Sequence, residues 1–322
     1  MKAVFGDGIV KYFMEPYNAK VWGVPLSSMS CSWIAERVSV VEYDRVEKNV
    51  VEKRDDVAWG PNNTFKFPKY GGTGALFKGI ARSFRDRIVF NKTAICVNLD
   101  KKQVSFADGS KATYDILINT TPLDVFIRSC SAIPEAVRQA AATLMHTGGF
   151  MVGLGFIGNR SDPKCWMYFP ENNTPFYRVT NFHNYSPYNV PQVDGERYYS
   201  LMSETCYSDY KRVDKSTIID DTATGLINSG LIMESERPNI VSRYLIDVPY
   251  SYPVPTLDRD AALGIIQPYL ESHGVFSRGR FGAWKYEVGN MDHSFMQGVE
   301  VVNRILSDEE ETTVADRHRK LK

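Results

Sequence analysis

The sequence predicts a mixed α/β protein built around a mostly antiparallel sheet. From residue 150 to 248 the chain reads as a succession of short strands, interrupted by one helix near 214–227. Helical patterns precede this stretch at 74–84 and 131–146, and follow it at 258–273 and 292–306. A chain of 322 residues, 43% of them hydrophobic, is long enough for two or three domains with packed cores.

The first part of the chain mixes helical and strand patterns. Tyr12, Phe13 and Met14 precede Pro16, which predicts a helix end followed by a turn. A short helix is expected at 29–35. After a glycine run, Leu76, Ile80 and Phe84 recur on one helical face. Strands are predicted at 94–99, 103–107 and 114–119, with a turn at Asp108-Gly109.

The central and final parts continue this alternation. Five strands are predicted at 150–156, 164–169, 176–179, 198–202 and 241–248. A further strand at 282–287 leads to the last helix, which carries Phe295, Val299, Val302 and Leu306 on one side. Residues 307–322 are charged, so a frayed tail is expected.

Charge and cysteine usage exclude several classes of function. Lys plus Arg equals Asp plus Glu, 38 each, so the chain has no long-range attraction for nucleic acid or an anionic membrane. Any bound anion must therefore be held by local arginines. Five dispersed cysteines predict free thiols and a cytoplasmic protein, and scattered histidines predict no metal site. Neither a membrane-spanning apolar run nor a signal-peptide pattern is recognised.

Two glycine motifs invite different interpretations. Residues 153–158, GLGFIG, match the dinucleotide fingerprint, but NRSDP follows and opens a turn instead of a helix. We interpret this motif as a strand whose small residues allow close packing. Residues 71–74, GGTG, are equally consistent with a glycine-rich helix start and with backbone that passes close to a bulky ligand.

The segment 279–295, GRFGAWKYEVGNMDHSF, places Arg280 between two glycines and puts Asn290 and Asp292 at a helix start. The partial positive charge of a helix N-terminus favours an anionic ring system nearby. From these residues alone, an ordinary capped helix is the simpler interpretation.

Four groups of motifs, in order along the chain, resemble the eukaryotic UDP-galactopyranose mutases. The resemblance runs from about Phe13 to Leu306. The motifs are FMEPYNAKVW with ERV, WGPN with FP and GGTG, WMYFPE with FYR and NYSPYN, and YPVPTL with GRFGAWKYEVGNMDHSF.

The resemblance implies an isomerase that interconverts UDP-galactopyranose and UDP-galactofuranose. Its cofactor would be FAD, which must be reduced, with NADPH as the implied reductant. In the family, N5 of the reduced flavin attacks the anomeric carbon, UDP leaves, and the covalent adduct allows the sugar to reclose as a five-membered ring. The implied partner is the small-molecule substrate UDP-galactose; the oligomeric state varies within the family, and a homo-oligomer is one expectation.

The resemblance also assigns roles to individual residues. Expected as catalytic residues, near the galactose and the flavin edge, are Arg280 and Asn62. Expected to bind the diphosphate are Arg37 and Arg178, because a guanidinium pairs with phosphate in a fork, together with Tyr185, Tyr252 and Tyr286. Expected around the uridine are Phe13, Tyr17, Asn18, Trp22 and Tyr168, with Trp166 nearer the galactose. Expected to contact the cofactor are Val97, Arg280, Gly289, Asn290, Met291 and Ser294.

One departure from the family pattern limits these expectations. The family begins with a strand, a true G-x-G-x-x-G and a helix that hold the adenosine diphosphate of FAD, whereas Met1 here falls inside the helical second domain. We therefore expect a remainder of the helical substrate domain at 1–61, a partial Rossmann-like FAD-binding domain at 62–98 and 272–306, an antiparallel sheet domain at 99–271, and a tail at 307–322.

Three functional interpretations follow. The first is a mutase whose N-terminal part is missing from the sequence. The second is an inactive remnant that binds UDP-sugar weakly or has a structural role. The third is an FAD-dependent oxidoreductase of the amine oxidase type, against which the paired arginines and the SPYN segment speak.

Overall fold

The computed structural model describes residues 2–31, 33–34, 38, 42–54 and 65–315. They fall into two compact units, each treated by itself below. Unit 1 takes its residues from Met1–Leu26, Ser39–Arg87 and Thr147–Ser251, and unit 2 from Ser27–Val38, Ile88–His146 and Tyr252–Lys322. The four-part division expected from the sequence stays a prediction.

The helices and strands are numbered in chain order. The helices are α1 Lys2–Ile9, α2 Glu15–Trp22, α3 Tyr43–Val51, α4 Gly74–Ala81, α5 Leu123–Ser129, α6 Glu135–Ala142, α7 Ile218–Asn228, α8 Arg259–Ser272 and α9 Met291–Ser307. The strands are β1 Ala94–Asn98, β2 Gln103–Phe106, β3 Lys111–Thr113, β4 Leu117–Asn119, β5 Cys130–Ser131, β6 His146–Ile157, β7 Trp166–Tyr168, β8 Arg178–Asn181, β9 Tyr198–Tyr207, β10 Ile240–Pro253 and β11 Val275–Ser277.

Unit 1 is organised by a five-stranded sheet in the order β10-β6-β9-β8-β7. The pairs β6–β9, β9–β8 and β8–β7 are antiparallel, as the sequence predicts. Alternate residues of β6, from Phe150 to Phe156, are buried in a core that also contains Ile218 and Leu226 of α7. Period-two alternation therefore assigns one face of the sheet to this core.

The GLGFIG motif lies on β6 and is a strand, as predicted. Gly153 and Gly155 lie on the face opposite the core, where a side chain at Gly155 would place its Cβ 3.1 Å from the Cβ of Ser242. A Cβ at Gly149 would likewise meet the Ser251 hydroxyl at 3.0 Å. Close approach of β10 residues thus accounts for the motif without a dinucleotide.

The turn predicted around Pro16 is wrong. A π-helical segment at Val10–Met14 continues directly into α2, and Pro16 lies in the first turn of that helix. The Glu15 N–H donates to the Val10 carbonyl, the i to i−5 bond of a π-helical turn. A proline has no N–H to donate to the preceding turn, and π-helical turns commonly occur at such interruptions of a helix. The helix ends instead at Gly23, which adopts φ 59°.

Unit 2 contains two small sheets. One has the order β3-β2-β1-β5, with β1 antiparallel to β2 and parallel to β5. The other pairs β4 with β11 in parallel. Helix α8 lies against both α6 and β11. The helix predicted at 131–146 is shortened to α6 because Pro134 fixes its start and the chain becomes β6 at His146.

Two predictions about the end of the chain are wrong. Residues 282–287 form a tight turn and a 3₁₀ segment, Tyr286–Val288, instead of a strand. Trp284 there has φ 55°, which folds the chain back on itself. The segment 308–315, predicted to fray, contains the buried Glu311 and is held by hydrogen bonds.

Candidate active site

In unit 1, three neighbouring strands bring Tyr168, Arg178 and Glu204 into one row across the sheet. Tyr168 is paired with Arg178, and Arg178 with Glu204, so their side chains point to the same face. The guanidinium carbon of Arg178 lies 5.0 Å from the centre of the Trp166 ring, within range of a cation–π interaction. Two of the predicted diphosphate and sugar residues are therefore adjacent to one expected at the uridine.

Glu204 fixes the orientation of Arg178. The Nε and Nη2 atoms of Arg178 donate to the two carboxylate oxygens at 2.7 and 2.6 Å, and the Tyr177 hydroxyl donates to the same carboxylate at 2.9 Å. The side chains of Arg178 and Glu204 are 21% and 7% exposed. A planar fork held in this way keeps a cation at a defined place on the sheet face. Sequence reasoning missed Glu204, because the strand predicted at 198–202 ends before it.

An aromatic cluster stands beside Arg178. Phe13 stacks on Tyr17 with ring centres 5.1 Å apart and planes 7° from parallel. Tyr17 meets Tyr168 edge to face at 5.2 Å. Phe13 and Tyr168 are both exposed, so their rings offer flat apolar surface to a ligand. These three predicted uridine residues are brought together.

Asn18 and Trp22 are placed differently from the other predicted uridine residues. Trp22 is fully buried and its indole N–H donates to Asn18 Oδ1 at 3.2 Å. Asn18, also buried, donates to the Met14 carbonyl at 2.6 Å. Both side chains therefore stabilise α2 and the π-helical segment before it, which carries Phe13. Their contact with a ligand stays a prediction.

Lys20 ties α2 to the loop before β8. Its buried ammonium donates to the Glu171 carbonyl at 2.6 Å and to the Thr174 hydroxyl at 2.9 Å. Burial, and secondarily the charge of Lys211, lowers the pKa of Lys20 from 10.5 to about 8. Sequence reasoning missed this residue, since a lysine that follows a predicted turn is expected to be exposed.

This burial predicts a pH dependence of stability in unit 1. The folded pKa of Lys20, about 8, lies below the unfolded value of 10.5, so the unfolded chain binds more protons between these two values. The free energy of unfolding should therefore rise as the pH increases from about 8 to 10.5. Urea unfolding at several pH values measures this slope. We expect Lys20→Met to reduce the slope and Lys164→Met, at an exposed position, to leave it unchanged. Equal slopes in the wild type and Lys20→Met would contradict the assignment.

Tyr185 lies in a second aromatic group of unit 1. Its ring is 4.8 Å from Phe65, 5.1 Å from Phe67 and 5.3 Å from Phe182. Burial is the main cause that raises the pKa of its phenol to about 12. The following residue, Ser186, donates to the Lys69 carbonyl at 2.6 Å, which holds the SPYN segment against residues 65–70.

In unit 2, residues 279–290 form a segment that we term the Arg280 loop. Arg280 Nη1 donates to the Gly289 carbonyl at 3.0 Å. Its guanidinium carbon lies 4.9 Å from the Tyr252 ring centre and 5.6 Å from that of Tyr286. Arg280 is thus in contact with two predicted diphosphate residues, Tyr252 and Tyr286, and with one predicted cofactor residue, Gly289.

Buried polar residues outside the predicted set hold this loop. Gln297 of α9 accepts from the Gly279 amide at 2.7 Å and donates to the Val288 carbonyl at 2.8 Å, so one side chain bridges both parts of the loop. Arg259 donates to both carboxylate oxygens of Glu287 at 2.7 and 2.8 Å. Neither was predicted, because each partner is distant in sequence.

The remaining predicted cofactor residues begin α9, apart from Val97. Asn290 is the N-cap residue, and the Ser294 amide donates to its carbonyl at 2.8 Å. Asn290 and Met291 are exposed. The start of this 17-residue helix carries a partial positive charge. Val97 lies on β1 with its side chain buried. Two further predicted residues, Arg37 and Asn62, lie outside the described residues.

Comparison with known proteins identifies the family. No protein-family model matches the sequence. A solved structure of reduced UDP-galactopyranose mutase, however, is 41% identical, covers 98% of this chain and 68% of its own, and superposes with a TM-score of 0.92. The chain belongs to the UDP-galactopyranose mutase family. The match confirms the predicted mixed α/β fold class and an isomerase-type relationship.

More distant structures share the fold of this mutase family member. A CLA-producing fatty acid isomerase from P. acnes is 15% identical over 73% of this chain and 52% of its own, with a TM-score of 0.51. A redesigned triple mutant of putrescine oxidase is 13% identical over 74% and 53%, with a TM-score of 0.53. At these identities the likeness concerns the fold alone. None of the helices in the described part of the chain has the length and apolarity needed to cross a membrane.

Proposed function

We propose that this protein is a eukaryotic-type UDP-galactopyranose mutase, which interconverts UDP-galactopyranose and UDP-galactofuranose. The observation that carries the proposal is Arg178, fixed by Glu204 on the sheet face beside the Phe13, Tyr17 and Tyr168 rings. A fixed cation next to stacked aromatic rings matches the chemistry of a nucleoside diphosphate. The strong family match supports the same substrate class.

In this proposal unit 1 binds the UDP part of the substrate. Arg178 neutralises diphosphate charge, both in the bound substrate and as UDP departs, and Phe13, Tyr17 and Tyr168 receive the uracil. Because Glu204 already holds the guanidinium, little reorganisation is needed as charge develops on the leaving group. Trp166, whose ring centre lies 5.0 Å from the guanidinium carbon of Arg178, lines the side on which the galactose would lie.

Unit 2 provides groups that fit the ring system of FAD. The donors gathered there are the Arg280 guanidinium, the Asn290 amide and the first backbone amides of α9, a set suited to the pyrimidine edge of an anionic reduced flavin. Gly289 and Gly279 leave backbone without side chains on this loop, and Met291 and Ser294 follow on α9. When bound and reduced, the flavin would supply the nucleophile for the anomeric carbon. We propose NADPH as the reductant. Arg280, beside the Tyr252 and Tyr286 rings, would contact this edge of the flavin.

We further propose that FAD binding needs a polypeptide segment outside this sequence, which packs on unit 2. The solved mutase is longer, since only 68% of its chain is covered. On α9, Gln297 and Val301 are buried, whereas the opposite stripe of Phe295, Val299, Val302 and Leu306 is between 40% and 78% exposed. Ile118 of the parallel pair β4–β11 is also exposed. Parallel strands normally lie between covering layers, so a strand-and-helix segment is the occupant that fits.

A turnover assay tests the proposed function. The chain is incubated with FAD and dithionite, alone and with the uncovered segment of the solved mutase added in trans, and UDP-galactopyranose formed from UDP-galactofuranose is measured by chromatography. We expect turnover with the segment present, its loss in Arg280→Lys, and no change in Arg138→Lys, an exposed position of α6. Absence of turnover in both mixtures would favour the inactive remnant; amine-dependent peroxide formation without turnover would favour the oxidoreductase.

A further inference from the structure

The segment 308–315, which we term the strap, folds back onto unit 2 after α9. Asp308 adopts φ 56°, a left-handed conformation that ends the helix and reverses the chain. Three residues later Glu311 is buried, with its side chain 4% exposed. A carboxylate at this depth requires partners, because an unpaired buried charge is strongly unfavourable.

Two arginines provide these partners. Arg278 donates to both oxygens of Glu311 at 2.6 Å, and Arg304 donates to one of them at 2.9 Å. Both arginines also donate to Glu271 of α8, at 2.8 Å each. The cluster thus contains two positive and two negative charges. Burial alone would raise the pKa of the Glu311 carboxyl, but hydrogen bonds from Arg278 and Arg304 outweigh it and lower that pKa, so the strap is anchored by an ionised group.

The anchored residues connect the strap to the Arg280 loop. Arg278 immediately precedes Gly279, whose amide is held by Gln297. On the other side of Arg280, the Lys285 ammonium donates to the Val314 carbonyl at 2.9 Å. The strap therefore contacts the chain on both sides of Arg280, at Arg278 and at Lys285.

A third set of contacts holds the middle of the strap, Thr312 and Thr313, against α9. Glu300 of α9 accepts from the Thr312 hydroxyl at 2.7 Å and from the Thr313 amide and hydroxyl at 2.9 Å each. The strap is thus fixed to α9 at its middle as well as to the loop. Its contacts on the loop all lie within unit 2.

We propose that the strap is a positioning element for the Arg280 loop, and that Glu311 is its positioning residue. Arg278 and Lys285 flank Arg280 in the chain, and each is hydrogen-bonded to the strap. These two contacts therefore fix the backbone that carries Arg280. The consequence for the sugar and flavin edge rests on the proposed function, whereas the mechanical coupling of strap and loop does not.

Hydrogen–deuterium exchange of the ligand-free full chain tests this coupling. In Glu311→Gln, which keeps the shape but removes the charge, we expect the exchange of loop amides such as Ala283 and Gly289 to accelerate about tenfold. In Glu310→Gln, the matched change at an exposed neighbour, we expect no change. Lys285→Met serves as a second variant that leaves the buried cluster intact, and it should accelerate the same amides.

Three outcomes decide the proposal. Acceleration confined to the Arg280 loop and the strap supports it. Equal exchange in the Glu311 and Glu310 variants overturns it, and so does acceleration that extends equally to β1 and β2, which would indicate general destabilisation. Because no ligand or cofactor is present, these results do not depend on turnover; a chain that fails the turnover assay can still show the coupling, and the reverse.

Discussion

Arg178→Lys is expected to weaken the binding of UDP-galactose by about tenfold to a hundredfold while the protein stays folded. Hydrogen bonds to charged groups contribute roughly 1.5–3 kcal/mol, and about 1.4 kcal/mol corresponds to tenfold in affinity. Lysine keeps the positive charge next to Glu204, but its compact ammonium cannot reproduce the planar guanidinium, which pairs with the carboxylate through Nε and Nη2 and in the proposed site also contacts a diphosphate. Isothermal titration calorimetry measures the change.

A matched variant separates this effect from the effect of replacing any arginine of unit 1 by lysine. Arg197 is exposed, so Arg197→Lys should bind UDP-galactose with wild-type affinity. Thermal unfolding followed by circular dichroism should give similar midpoints for both variants. Undiminished affinity in Arg178→Lys would remove Arg178 from the proposed diphosphate site.

Gly282→Ala is expected to produce the largest change in stability, about 3 kcal/mol, at the upper end of the range for overpacking a filled interior. A Cβ at this position would lie 2.1 Å from the Arg278 carbonyl oxygen and 2.9 Å from its amide nitrogen. These are backbone atoms within the tight turn, so they cannot move aside without opening the Arg280 loop. Urea unfolding followed by circular dichroism measures the loss.

Gly264→Ala is the control within the same unit. Gly264 lies inside α8, where an added Cβ would meet nothing within 4 Å. Alanine there should stabilise the protein by about 0.5–1 kcal/mol, because glycine loses more conformational freedom in a helix. If both substitutions had the same small effect, the tight turn at Gly282 would be refuted.

Local sequence patterns predicted the strands of the unit 1 sheet but not their order. Alternation along β6 and β9 corresponds to a face buried in one core, and the residues after GLGFIG distinguished a strand from a nucleotide-binding turn. The Pro16 prediction failed because a proline often ends a helix but can also lie inside a continuous one when the preceding turn is π-helical. The pattern does not say which of the two it is.

Residues of the candidate site were predictable where a motif carries them and not where a tertiary contact selects them. Arg178, Tyr17 and Arg280 came from motifs. Glu204 on β9 orients Arg178, and Gln297 on α9 holds the Arg280 loop. Each of these partners is distant in sequence from the residue it contacts, so no sequence spacing predicts the pair. The prediction of a frayed tail failed for the same reason at residues 308–315. Charged residues at a chain end are usually mobile, and here the hydrogen bonds from Arg278 and Arg304 hold Glu311 in a buried position.

The proposed nucleoside diphosphate site is tested most directly by calorimetric titration of UDP-galactose into the wild-type chain. We expect saturable binding with one site per chain, competed by UDP but not by free galactose, because the proposed site of Arg178 and the Phe13, Tyr17 and Tyr168 rings is suited to a nucleoside diphosphate. A chain that is folded by circular dichroism but binds neither UDP-galactose nor UDP at millimolar concentration would show that this site does not exist.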